Sequence, residues 1–277
     1  MYKRSKLTLG GAPMNKKTSR ETHLMNMLNS TGHITTREVV ELLDISEATA
    51  RRMFSELEKS GKIVRKYGGI QLAGHASDYS FELLEKMHTQ EKIRIGTHAA
   101  SLVNDGDTIY LDCGTTIFQM TLALSMRILN NEFSSLNIIT NSIANVQAIA
   151  PQHGCTVILV GGIYNNERRD FSGALTEKYV MPFHFTKCFL GCDGMNATKG
   201  FFSNQFDISS LNAIVIERSA ASYILLDSSK FDRCSLISYA QLSDVNAIIT
   251  EREPDEPLLA ALAEADTSIL IAEQANS

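Results

Sequence analysis

The sequence predicts an α/β chain in two parts, a small basic head of helices closed by a hairpin and a larger acidic body on a doubly wound, mostly parallel sheet. Three observations predict it. Residues 35–61 carry two capped amphipathic helices separated by a short turn, and seven apolar strand-like runs separated by helix-length segments follow from residue 109 onward. Charge changes sign between the parts: residues 1–72 hold 13 Lys+Arg against 7 Asp+Glu, a net of +6, while the remainder holds 13 against 24, a net of −11. With 277 residues, 44% of them hydrophobic, the chain is long enough to bury two cores.

Residues 1–17 are basic and irregular, with Gly10, Gly11 and Pro13, and predict a disordered tail. Thr18 followed by Glu21 has capping-box spacing, so a helix is expected to about Ser30 with Leu24, Met27 and Leu28 inward. Thr35 with Glu38 repeats the spacing and opens a second helix that turns Val39, Leu42 and Leu43 to the core. Asp44 and Ile45 make the turn, Ser46 caps a third helix over residues 47–60, and Gly61 offers the left-handed residue that ends it. Ala50, Met53, Phe54 and Leu57 recur there at the spacing of a buried face. The opposite face shows Ala48, Arg52, Ser55 and Lys59, flanked by Thr49 and Arg51. Guanidiniums, hydroxyls and a methyl beside a helix N-terminus are groups that read base edges and grip phosphates, so double-stranded DNA is the expected partner. Alternation around Gly68-Gly69 predicts a hairpin bearing Lys62, Arg65 and Lys66, a basic wing beside a groove-bound helix. The candidate DNA contacts are therefore Thr35, Ser46, Ala48, Thr49, Arg51, Arg52, Ser55, Lys59, Arg65 and Lys66.

Arg20, Leu28, Val40, Leu42, Leu43, Ser46, Thr49, Arg51, Arg52, Leu57, Glu58, Gly61, Arg65, Gly68 and Gly69 stand in the order and spacing of the DeoR family of bacterial transcription regulators. The head resembles that family's winged helix-turn-helix. It departs at Ala50-Arg51-Arg52-Met53-Phe54, where the family more often has Ile-Arg-Arg-Asp-Leu. Losing the acidic residue for Met53 alters helix packing or a local ion pair but keeps both arginines.

The head is expected over residues 18–73, a linker with a connecting helix in FELLEKM over 74–91, and an effector-type domain over 92–277. Strands are expected at IYLD (109–112), NIIT (137–140), TVILVGG (156–162), KCFLGCDG (187–194), SYILLDSSKF (222–231), NAIIT (246–250) and SILIA (268–272). Runs apolar on both faces, spaced by helix-length segments, belong to a parallel sheet covered on both sides. Several end alike, in Asp112-Cys113-Gly114-Thr115-Thr116, Thr140-Asn141-Ser142, Gly161-Gly162, Asp193-Gly194 and Asp227-Ser228-Ser229-Lys230. Ligands of open parallel sheets bind beyond the strands' carboxyl ends, so these stretches should converge on one crevice. Gly114, Thr115 and Thr116 suit a phosphate at a helix start, Asn141 and Ser142 suit sugar hydroxyls, and Lys230 adds a movable cation. The candidate effector contacts are Asp112, Gly114, Thr115, Thr116, Thr140, Asn141, Ser142, Gly161, Gly162, Asp193, Gly194 and Lys230.

These motifs, with Gly173, Gly191 and Gly200, resemble the DeoR family's C-terminal sensor domain over nearly all of residues 92–251. The resemblance implies a fold similar to ribose-5-phosphate isomerases and coenzyme A transferases, and a repressor of carbohydrate genes whose body binds a phosphorylated sugar or related metabolite. An isomerase or transferase with an appended DNA-binding head is the alternative, and it needs a carboxylate placed to move a proton. Family sensors commonly carry acidic-Ala-x-Val-Lys on the helix before the Asp-Ser-Ser-Lys strand. Sixteen residues back from Asp227, Leu211 takes the Val position, Ile208 the acidic one and Asn212 the Lys, so neither charge is present. Asp193 is better suited to orienting a ligand hydroxyl or capping its turn than to acting as a base. No enzyme activity is expected, and an apolar residue and an amide stand where the family's sensors commonly carry a charged contact pair.

Five cysteines, Cys113, Cys155, Cys188, Cys192 and Cys234, sit mostly in apolar runs and predict buried thiols. Cys188 and Cys192 lack a second pair or nearby histidine, so no metal or other cofactor is expected. No apolar run reaches the roughly 18 residues of a membrane span and the basic N-terminus has no apolar h-region, which points to the cytoplasm without membrane attachment. A single head of this size contacts few base pairs, so a homodimer or homotetramer assembled through the bodies is expected.

Overall fold

The reciprocal cap at Thr35 sets the local geometry of the head. In the computed structural model, which describes residues 20–21, 23–25, 27–28, 33–66, 69–72, 80–149 and 153–273, the Glu38 N–H donates to Thr35 Oγ1 at 3.2 Å and the Thr35 N–H to Glu38 Oε2 at 2.9 Å. The tail, Thr18 and the hairpin's Tyr67-Gly68 lie outside the described residues, as does the side chain of Lys66. The chain divides into two compact units, residues 1–78 and 79–277.

In the first unit the described residues of 20–28 are helical (α1), followed by β1 (His33–Thr35), α2 (Thr36–Leu43), α3 (Glu47–Lys59), β2 (Ile63–Lys66) and β3 (Gly69–Leu72). Asp44 closes α2 at φ 49° and Gly61 follows α3 at φ 68°, the left-handed conformation that stops a helix. The hairpin is antiparallel with Lys66 opposite Gly69, and β1 adds a third strand beside β3 that the sequence reading did not anticipate. Leu24, Leu28, Val39, Phe54, Leu57 and Ile70 fill the core. Leu42, expected inward, is 37% exposed, and Val40 packs against the core instead. Met53, where the family more often carries Asp, is buried, so the departure is one of packing.

The second unit runs α4 (Phe81–Glu85), α5 (Thr89–Ser101), β4 (Thr108–Leu111), α6 (Thr115–Leu129), β5 (Leu136–Thr140), α7 (Ile143–Ala148), β6 (Cys155–Leu159), β7 (Ile163–Asn165), β8 (Asp170–Ser172), α8 (Ala174–Val180), β9 (Lys187–Gly191), β10 (Gly194–Asn196), β11 (Gly200–Ser203), α9 (Phe206–Glu217), β12 (Ser222–Leu225), β13 (Ile237–Ala240), β14 (Ala247–Thr250), α10 (Glu256–Glu264) and β15 (Ser268–Ile271). Each of the seven expected runs supplies one strand of a parallel sheet ordered β15-β14-β12-β9-β4-β5-β6. Alternate residues feed two cores: Tyr110, Cys188, Leu190 and Ile224 face one, Ile109, Leu111, Phe189 and Leu225 the other. Burial on both faces is what makes the strands read as unbroken apolar runs. A small antiparallel sheet, β10-β11-β13, and the hairpin β7-β8 complete the unit. The chain leaves β4 toward β5 and β6, then returns to β9 on β4's other side, so strand order reverses between β4 and β9. Of the expected buried thiols Cys113 and Cys188 are buried, Cys155 and Cys192 are partly buried, and Cys234 is exposed in the irregular stretch before β13. Among the described residues no helix is long and apolar enough to cross a membrane.

Candidate functional site

Two surfaces carry the chemistry, one in each unit. On the head, Ser46 Oγ accepts from the Thr49 N–H at 3.3 Å and starts α3. The inward face of α3 is buried, leaving Ala48, Arg51, Arg52 and Lys59 exposed with Thr49 and Ser55 at their margin. Arg51 donates to Glu47 Oε1 at 2.6 Å, with 68% of its side chain still accessible, so this surface pair exchanges readily for another anion. Arg65 is placed differently from the expected wing contact. Its Nη2 donates to the Arg51 carbonyl at 3.0 Å and to Ser55 Oγ at 2.5 Å, and its Nε lies 3.1 Å from Glu58 Oε2. It therefore ties β2 to α3. Thr35 is committed to its cap, since its hydroxyl donates to Glu38 Oε2 at 2.9 Å.

In the body a crevice opens at the carboxyl ends of β4, β9 and β12, beside the reversal of strand order. Of the expected contacts, Asp112, Gly114, Thr115, Thr116, Asp193 and Lys230 line it. Gly114 takes φ 118° at the start of α6, an angle side chains disfavour, and α6 carries no side-chain cap, so its first amides face the crevice beside two threonines. Thr140, Asn141, Ser142, Gly161, Gly162 and Gly194 are not among the lining residues. Asn141 brackets Phe171, donating from Nδ2 to its carbonyl at 2.9 Å and accepting its N–H at 2.8 Å, while Ser142 bridges Asp170 and caps α7. Thr140 Oγ1 accepts from the Ser142 N–H and Asn145 Nδ2, both at 3.1 Å. The Gly161 carbonyl accepts from Thr176 Oγ1 at 3.1 Å, and a Cβ at Gly162 would meet Thr176 Oγ1 at 2.0 Å, one at Gly194 the Arg233 carbonyl at 2.3 Å. These six are held by bonds or close contacts within the walls around the crevice.

The lining also includes residues the sequence reading missed. Lys92, only 4% exposed, reaches the crevice from α5, and Arg168 reaches it from the β7-β8 turn that Asn141 and Ser142 anchor. Arg168 donates from Nε to Asp170 Oδ2 at 2.8 Å and from Nη2 to Cys113 Sγ at 3.2 Å. Asp227, whose Oδ1 accepts from the Ser229 N–H at 3.0 Å, completes the lining charges. Three cations, Lys92, Arg168 and Lys230, thus share the crevice with three carboxylates, Asp112, Asp193 and Asp227. Asp193 Oδ2 accepts the Asn204 N–H at 2.8 Å across the open end of the β10-β11 hairpin. Burial pushes the Asp112 carboxyl up to about 6 against the opposing pull of the Gly191 N–H, Arg168 and the amide of Asn212. The same burial pushes the Cys192 thiol up to about 12, which leaves it protonated and a poor nucleophile at neutral pH. Helix-start amides, hydroxyls and cations grip an anion, and carboxylates accept from hydroxyls.

The amino-acid sequence matches a DeoR-like helix-turn-helix domain over residues 20–75 and the DeoR C terminal sensor domain over residues 87–252. The chain belongs to the DeoR family. A lactose phosphotransferase system repressor of Lactococcus lactis subsp. lactis is 30% identical over 243 residues, covering 87% of this chain and 92% of the relative. The glycerol-3-phosphate regulon repressor of Escherichia coli is 26% identical, covering 89% of this chain and 96% of its own. Among solved structures, ribose 5-phosphate isomerase A from Methanocaldococcus jannaschii is similar over 50% of this chain and 53% of its own, at 19% identity and a TM-score of 0.37. The first match takes in α3, and all the crevice lining except Leu84 falls within the second.

Proposed function

We propose that this protein is a sequence-specific transcriptional repressor of a carbohydrate operon, released from its operator by a phosphorylated sugar-like metabolite bound in the body. The observation that carries the reading is the crevice itself, where uncapped helix-start amides and three cations face carboxylates fit for hydroxyls. Ala48, Thr49, Arg51, Arg52, Ser55 and Lys59 are the proposed DNA-facing set, with Arg52 reading a base edge. The protein acts in the cytoplasm as a homodimer or homotetramer. Self-association through the bodies is supported by the exposed apolar side chains of Ile163 on β7, Leu175 and Tyr179 on α8, Met181 just after it, and Phe206 on α9. Catalysis has no support from position 208, where an apolar Ile lines the crevice.

The test has two arms. Duplexes enriched from a randomised pool are titrated with the protein, and a thermal-shift screen of pentose and hexose phosphates identifies ligands that raise its melting temperature. The reading expects a ligand from the screen to weaken binding to the enriched duplex. Failure to enrich any sequence removes the regulator, and interconversion of a sugar phosphate during incubation would make it an enzyme instead.

A further inference from the structure

Lys92 stands out because it touches two things at once. It lines the crevice with Thr116, Arg168, Asp227 and Lys230, and its ammonium donates to the Leu84 carbonyl of α4 at 2.5 Å. Leu84 itself forms part of the crevice wall. α4 is the first helix of the body in chain order, so the tether leading back to the head leaves from it.

The remaining contacts of α4 lead to the same place. The Phe81 ring packs edge-on against Phe118 at 5.4 Å, and Phe118 lies in the first turns of α6, the helix whose start lines the crevice. The Phe81 N–H donates to the Glu167 carbonyl at 2.9 Å, Arg169 pairs with Glu82 at 2.6 Å, and the Arg169 guanidinium lies over the Phe81 ring at 5.3 Å. Residues 167–169 belong to the turn that carries Arg168 to the crevice. Thus α4 is fastened by three elements, α5, α6 and the β7-β8 turn, each of which also supplies crevice lining.

The geometry points to Lys92 as the link between ligand and tether: an anion in the crevice and the Leu84 carbonyl share its ammonium, so that effector binding pins α4 to the body. This rests on the proposed function, in that the crevice must take an anion. An ammonium has three donors, so a bond to the ligand does not require release of Leu84. Without an anion the charge is poorly compensated. Burial lowers the Lys92 pKa to about 8, against the pull of Asp227, Glu85 and Glu91 and with the push of Lys230. A bound anion keeps the ammonium fully charged and thereby strengthens its charge-assisted bond to α4.

The probe is inorganic phosphate, compared with chloride at equal ionic strength, on the full chain. Hydrogen exchange is followed at the amides of α4, and phosphate affinity is taken from melting-temperature titrations. In the unmodified protein, saturating phosphate slows exchange across α4. Lys92→Met weakens phosphate about tenfold to a hundredfold, the loss of one charge-assisted bond, and at saturation leaves α4 exchange unchanged. Lys230→Met is the control for charge alone: it weakens phosphate to a similar degree, yet saturation still protects α4. If phosphate raises the melting temperature but α4 exchange does not slow, the coupling role of Lys92 is wrong while the effector crevice stands. Equal α4 protection in Lys92→Met at saturation overturns it as well. If phosphate gives no melting shift relative to chloride, both the crevice reading and the coupling fall.

Discussion

Arg52 and Asn212 show how much turns on single side chains. Arg52 lies exposed on α3, opposite buried Met53 and Phe54. If it reads a base edge, Arg52→Ala costs about 1–3 kcal/mol on the preferred duplex and much less on random sequence. Anisotropy titrations on both DNAs decide it, since equal losses would reduce Arg52 to a phosphate contact. Asn212 is fully buried and donates from Nδ2 to Asp112 Oδ2 at 3.2 Å, at the position where family sensors commonly carry Lys. With only an amide there, burial keeps the Asp112 pKa up at about 6. Between roughly pH 4 and 6 the folded protein therefore holds a proton that the unfolded chain has released, and this group's contribution to stability falls as pH rises through that window. Asn212→Lys places an ammonium against the carboxylate, so the Asp112 midpoint is expected well below 6 and the fall in stability should shrink. Carboxyl-carbon NMR reads the midpoint directly. A midpoint still near 6 in the variant would show that the family's lysine does not act on this carboxylate.

At the scale of elements, the legible parts are those whose signal is local. Each strand of the parallel sheet is buried on both faces and reads as an apolar run, and Thr35, Ser46 and Gly61 mark helix ends through bonds within four residues. What escapes is non-local. The three-residue strand β1 exists only through pairing with the distant β3, and Arg168 meets Cys113 across 55 positions of sequence. Lys92 is equally silent, because nothing near it in sequence says that α5 aims it at the ends of β4 and β9. Thr140-Asn141-Ser142 carries polar groups that suit a sugar, and their bonds in the folded chain, to the start of α7 and to β8, are equally invisible in the sequence. The wing offers the same contrast and a test. Arg65 reads as a phosphate contact, yet three bonds commit it to α3. Arg65→Ala is therefore expected to lower the head's stability by about 1 kcal/mol, seen as a lower urea midpoint, while leaving the salt dependence of DNA binding unchanged. A slope reduced by about one would return Arg65 to the phosphate backbone.

For the whole molecule the governing constraint is that the ligand and the operator act on one protein, so any influence between them is mutual. If a sugar phosphate from the thermal-shift screen weakens operator binding by some factor, the operator must weaken that ligand's binding by the same factor. Coupling energies of about 1–3 kcal/mol, or 5-fold to 150-fold, are typical, and the unequal charge of the two parts makes the effect easy to misread. A net of +6 on residues 1–72 gives DNA binding a steep salt dependence, whereas the anion's own charge screens the same attraction without entering the crevice. Measuring both directions at one ionic strength separates the cases. Genuine coupling gives equal factors from ligand-dependent operator titrations and from operator-dependent ligand titrations, and Lys230→Met, which weakens the ligand, shifts the ligand concentration required. Screening gives an apparent loss of operator affinity that chloride reproduces and that Lys230→Met leaves unmoved, with no reciprocal change in ligand affinity. Only the first pattern is compatible with a body whose crevice controls the head.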